Sequence, residues 1–150
     1  MMQIWVDADA CPVEIKEMLF RAAQKRQVQV TLVANQSLWT PSSPYIATVL
    51  VPDGANIADR KIVELLSPGD LVITADIPLA GDVVAKGASA LNPRGELYTD
   101  ANMGDRLAMR NLFDEMRGAG HTMRGPSNFS AKDRQTFAND LDRWLAKLKK

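Results

Sequence analysis

Six aspartates have the type and spacing to do chemistry. Asp7 and Asp9 follow an apolar run in "IWVDADACP". Asp53 and Asp59 belong to "PDGANIAD", Asp76 closes "LVITAD", and Asp82 comes shortly after. Carboxylates brought to one place repel and raise each other's pKa unless a positive charge sits between them. A hard divalent cation with oxygen ligands, Mg²⁺ or Mn²⁺, is the natural counter-charge. Such an ion can orient water as a nucleophile and neutralise a phosphoryl group. The ordinary alternative is that each aspartate is a helix cap. Asp9 or Cys11 could begin the first helix, and Asp76 could cap a helix at Ile77.

Whether the acids meet depends on the elements that carry them. Ile4, Trp5 and Val6 read as a buried strand, and Pro12 suits a first helical turn. Ile15, Met18, Leu19, Ala22 and Ala23 follow helical spacing to about Arg26. "VQVTLVAN" (28–35) reads as a strand with Val28, Val30, Leu32 and Ala34 on one face, and the Pro/Ser-rich "QSLWTPSSPY" as a loop. "IATVLVP" is a third strand. A helix follows, with Ala55, Ala58, Ile62, Leu65 and Leu66 on its inner face. "SPGD" is a turn and "LVITAD" a strand buried on both faces. "IPLAGDVVAKG" is a helix closed by Gly87, "ASALN" a fifth strand, and "NPRGE" a turn.

From Asn102 the pattern is helical, with Leu107, Met109, Leu112, Phe113 and Met116 on one helix. "SAKD" has the form of a capping box. It opens a terminal helix lined by Phe137, Leu141, Trp144, Leu145 and Leu148. Strands separated by helices imply right-handed crossovers. The expected fold is a three-layer α/β/α domain spanning 1–150, with a mainly parallel central sheet and a helical C-terminal extension over about 102–150. Ligands in such sheets bind beyond the carboxyl ends of the strands. Asp7 and Asp9 end the first strand, Asp53 and Asp59 follow the third, and Asp76 and Asp82 follow the fourth.

Bulk properties narrow the partners. The 150 residues are 46% hydrophobic and 24% charged, with 18 basic and 18 acidic residues. That balance gives no overall electrostatic footprint for nucleic acid or membrane. No run approaches the roughly 20 apolar residues of a membrane span. The N-terminus lacks a signal-peptide pattern, so a cytoplasmic location is expected. Cys11 is the single cysteine, which excludes an internal disulfide and a cysteine-based zinc site.

The segments "VDADACP", "VPDGANIADRKIVE", "GDLVITADIPLA" and "RGPSNFSAKDRQTF" together resemble the YaiI/YqxD family of bacterial proteins, over nearly the whole chain. That family is in turn similar to PIN-like domains, many of which are metal-dependent ribonucleases. The resemblance implies a PIN-like sheet with acids around Mg²⁺ or Mn²⁺, and RNA as substrate. By position it implies Asp7 with Asp9 on the first strand, Asp59 on the helix after the third strand, and Asp76 at the end of the fourth, supported by Asp82. PIN domains usually show one acid at the first strand, so the Asp-x-Asp-x-Cys-Pro run departs from their pattern.

Further polar residues on loops and helix ends are candidates for substrate contact: Asn56, Lys86, Arg94, Arg124, Ser127 and Arg134. Lys86 has an ordinary role as well, satisfying a helix C-terminus. Single-stranded RNA also calls for an aromatic to stack on, and Trp39, Tyr45 and Phe129 lie in loop-like stretches. Cys11 sits beside a helix N-terminus, which favours thiolate, but nearby carboxylates oppose it and His121 is the only histidine. A structural cysteine is expected.

Two other readings use the same residues. "VDADAC" resembles the Asp-x-Asp signature of haloacid-dehalogenase-like phosphatases, with Asp7 as nucleophile, Asp9 as general acid/base, and Thr74 and Lys86 as the later hydroxyl and lysine. The immediate helix at "PVEIKEMLF" leaves no room for that family's loop and flap. A non-catalytic module would instead bind nucleic acid or protein through the acidic edge, with weak metal binding or none.

Overall fold

The computed structural model describes residues 2–54, 56–118 and 130–147. The strands are β1 (Gln3–Asp7), β2 (Gln29–Ala34), β3 (Ile46–Leu50), β4 (Leu71–Ile73), β5 (Ser89–Leu91) and β6 (Leu97–Tyr98). The helices are α1 (Val13–Arg26), α2 (Ile57–Leu65), α3 (Ile77–Ala85), α4 (Asp100–Gly118) and α5 (Ala131–Ala146), with a short 3₁₀ turn at Ala8–Ala10. The sheet order is β3-β2-β1-β4-β5-β6. Only the β5–β6 pair is antiparallel.

The direction of each crossover decides which face its helix covers. The chain moves one way from β1 to β2 through α1, and the other way from β3 to β4 through α2 and from β4 to β5 through α3. With right-handed connections α1 must lie on one face and α2 and α3 on the other. The cores follow that division. Ile15, Leu19 and Ala23 of α1 meet Val30, Leu32 and Ile73, together with Phe137, Leu141, Trp144 and Leu145 of α5. Trp5, Val33 and Val72 meet Ile62 of α2, Leu79 and Val83 of α3, and Met103 of α4. The fold is a three-layer α/β/α sandwich, and each of the last two helices completes one outer layer.

Several local expectations need correcting. "NPRGE" is followed by the two-residue strand β6, too short to show a period. Leu65 turns outward from α2, whereas Leu66 is buried beyond its end; Met109 and Leu112 of α4 are also exposed. Pro12 is the residue before α1, and no side chain caps that helix. Ser130 and Asp133 do form the capping box of α5. Gly95, at φ 96°, lets the β5–β6 turn lie on α5, since a Cβ there would stand 2.7 Å from the Thr136 carbonyl carbon. Among the described residues no helix is long and apolar enough to cross a membrane.

Candidate functional site

The strand order reverses between β1 and β4, so their carboxyl ends open the crevice where doubly wound sheets bind ligands. Asp7 is the last residue of β1. It alternates with Val6, which faces α1, and so points with Trp5 toward the α2/α3 side. It is 9% exposed. Its Oδ2 accepts a hydrogen bond from Thr74 Oγ1 at 3.0 Å, and Thr74 Oγ1 accepts one from the Asp76 N–H at 3.0 Å. Thr74, 1% exposed, therefore joins the ends of β1 and β4.

Asp76 serves two ends. As N-cap of α3 its Oδ1 accepts from the Leu79 N–H at 2.9 Å, as the capping reading expects. It also faces Asp59, on the first turn of α2. Burial raises the Asp59 carboxyl to about 6, helped by the charges of Asp76 and Asp7, a hydrogen bond with Asp76, and the charge of Asp82. Asp7 is raised too, chiefly by burial; the Thr74 bond opposes this, and the charges of Asp76 and Asp9 add to it. Asp7, Asp59, Asp76 and Asp82 thus share one electrostatic neighbourhood. Beside it, a cavity of about 370 Å³ is lined by Asn56, Asp59, Arg60, Val63, Pro78, Leu79 and Asp82.

Asp9 sits at the outer rim, exposed on the 3₁₀ turn. It caps nothing: its Oδ2 accepts from the backbone N–H of Asn35 at 2.9 Å, just past β2. Asp53 is exposed in the bend before α2 and has no part in the shifts of Asp7 or Asp59.

The raised carboxyl of Asp59 makes a stability prediction for the metal-free protein. Its folded pKa of about 6 exceeds the ordinary carboxyl value of 3.8, so between these the folded state holds more protons and stability falls as pH rises. Discounted for solvent screening, the loss is about 1 kcal/mol. Urea unfolding should show it between pH 4 and pH 7, and Asp59→Asn should remove it. Equal pH slopes in the two proteins would contradict the electrostatic picture.

The candidate substrate contacts divide. Asn56 lines the cavity, held at φ 64° before α2. Lys86 donates from Nζ to the carbonyl of Val63 on α2. Arg94 pairs with Asp133 of the α5 capping box at 2.6 Å, and Arg134 lies 3.8 Å from Glu14 of α1; both tie secondary elements together. Arg124 and Ser127, with His121 and Phe129, lie outside the described residues. Burial pushes the Cys11 thiol up to about 12, against a smaller pull from Lys16 and with Asp7 adding to the rise. It is a structural cysteine.

Three participants escaped the sequence reading. Arg60, next to Asp59, lines the cavity. Thr74 entered only as a stand-in hydroxyl, although a hydroxyl inside an apolar strand two residues before an acid was a visible signal. Asp70 lies just before β4, 1% exposed, and accepts from Gln3 N at 3.0 Å, Trp5 Nε1 at 3.0 Å and Ser67 N at 2.8 Å. It is an anchor at the opposite, amino-terminal edge of the sheet.

The donor chemistry at the carboxyl edge suits a hard divalent cation. Among the described residues no three carboxylate, imidazole or thiol groups stand together as a ready-made ion cage. The arrangement fits an ion held by one or two carboxylates and completed by water, the habit of Mg²⁺.

The comparisons with known proteins agree on one relationship. The family model described as "Uncharacterized BCR, YaiI/YqxD family" matches residues 5–147. A UPF0178 protein of Shewanella amazonensis is 60% identical over 149 residues, covering 99% of this chain and 100% of the relative. Another, of Dechloromonas aromatica, is 59% identical over 147 residues, covering 98% of each. No solved structure matches the chain at a significant level. The chain belongs to the YaiI/YqxD family.

Proposed function

We propose that the protein is a divalent-metal-dependent nuclease acting on RNA, with water attacking a phosphodiester at the aspartate cluster. One observation carries the reading: carboxylates from β1, α2 and the start of α3 lie together near the switch point, where burial and the charge of Asp76 raise Asp7 and Asp59. Such a cluster destabilises the free protein, and a cation relieves it. One or two of Asp7, Asp59 and Asp76 would hold Mg²⁺ or Mn²⁺ directly, with the rest of the acids, Asp9 and Asp82 included, acting through water. The ion would supply charge neutralisation at the phosphoryl group and a more acidic water. Thr74 keeps Asp7 turned toward Asp76, and Asn56 and Arg60 line the space beside the acids. RNA as the substrate comes from the likeness to PIN-like domains, and a cytoplasmic location accords with it.

The phosphatase reading gains from the Thr74–Asp7 bond but needs Lys86 at the phosphoryl group, and Lys86 is bonded to α2. The test is incubation of single-stranded RNA with the protein and Mn²⁺. Cleavage that EDTA abolishes is the expected result. Intact RNA together with an aspartyl adduct trapped by beryllium fluoride would transfer the site to the phosphatase reading.

A further inference from the structure

A second cavity, of about 200 Å³, lies at the same sheet edge, lined by Ala34, Gln36, Ser37, Leu38, Thr48, Val49 and Leu50. The register locates it. Asp7 pairs with Val33, and Val33 with Val49, so Asp7 and one wall of this cavity share a row across the sheet. Two strand spacings separate them, about 10 Å. The link is also direct: Asp9 holds the N–H of Asn35, the residue between cavity walls Ala34 and Gln36.

The loop after β2 then does something unusual with its apolar residues. Leu38 packs on the α1/α5 core, as does Tyr45 further along, and both pin the loop. Trp39, beside Leu38, is 81% exposed, whereas Trp5 and Trp144 are 6% and 9% exposed. Tyr45 is thereby spent on structure and Trp39 is not. An uncovered indole one residue along the chain from the Leu38 wall of a small cavity, with polar walls at Gln36, Ser37 and Thr48, offers what an unpaired base requires: a face for stacking and groups for its edges.

We propose that Trp39 and the Gln36–Leu38/Thr48–Leu50 cavity form a nucleobase subsite for single-stranded RNA whose backbone crosses Asp9 to reach the acid cluster. The inference rests on the nuclease reading for its substrate. It adds single-strandedness, because in a duplex a base has its faces stacked and its Watson–Crick edge paired.

The experiment is a titration of a short single-stranded oligoribonucleotide into the full chain with Mg²⁺, following tryptophan emission and, with a fluorescein label, anisotropy. Trp39 is the exposed tryptophan, so saturable quenching reports stacking on it. Trp39→Ala should weaken binding about ten-fold, within the range for loss of one base stack, and Trp39→Phe should restore most of it. Far-UV circular dichroism should be unchanged, since Trp39 contributes little to the core. Wild-type affinity in Trp39→Ala, or no binding by the wild type, overturns the subsite. Cleavage read in the same samples separates the two ideas. Quenching without cleavage keeps the subsite and defeats the nuclease, and cleavage indifferent to Trp39 does the reverse.

Discussion

An Asp7→Asn, Asp76→Asn double variant should cleave RNA at least about a thousand-fold more slowly than the wild type while folding equally well. The stability half of this expectation makes the activity half interpretable. Asparagine caps a helix as well as aspartate, so the Leu79 N–H keeps its acceptor at position 76. At position 7 the amide oxygen can still accept from Thr74. The change at position 7 removes a charge that burial disfavours, and the change at position 76 removes one that raises Asp7 and Asp59, so the metal-free variant should match or exceed the wild type in urea. A variant that unfolds early would show that the aspartates are held there for structure. A stable variant with undiminished cleavage would show that the chemistry lies elsewhere.

The second large effect belongs to Asp70, and it separates a structural acid from a functional one. Asp70→Ala removes the acceptor of two backbone N–H groups and the Trp5 indole, all at a buried position. Hydrogen bonds to a charged group contribute about 1.5–3 kcal/mol each, and a donor left buried without a partner adds its own penalty. A loss of about 4 kcal/mol is expected, read as a lower urea midpoint and altered near-UV tryptophan circular dichroism. A loss below about 1 kcal/mol would mean that water replaces the carboxylate without cost. The contrast with the double variant is the point: removing charge at the carboxyl edge should spare the fold, and at the amino edge should damage it.

Much of this architecture was legible because it rests on local pattern. Ile15, Leu19 and Ala23 mark α1 by spacing alone, and Val30, Leu32 and Ala34 mark one face of β2. The alternation of such segments leads to the parallel sheet, and the sheet leads to the edge where the acids fall. What stayed hidden depends on distant partners. Asp70 looked like part of a turn because the indole that fixes it lies 65 residues away. The bond from the Asn35 N–H to Asp9 was hidden because nothing in "DADACP" shows that β2 passes beside it. Two-residue β6 has no period to read. The outward turn of Leu65 reflects α2 ending there, leaving Leu66 to enter the core. Arg94 and Arg134 looked like substrate contacts because both are polar and near loops. Their acidic partners, Asp133 and Glu14, come from other elements.

On the proposed reading the carboxyl-edge acids hold a divalent cation. The most direct test is calorimetric titration of Mn²⁺ and Mg²⁺ into the metal-free protein beside the Asp7→Asn, Asp76→Asn variant. Saturable binding to the wild type and none to the variant at the same concentrations is the expected result. Wild-type protein that takes up neither ion at millimolar concentration, or a variant that binds as well as the wild type, would contradict it.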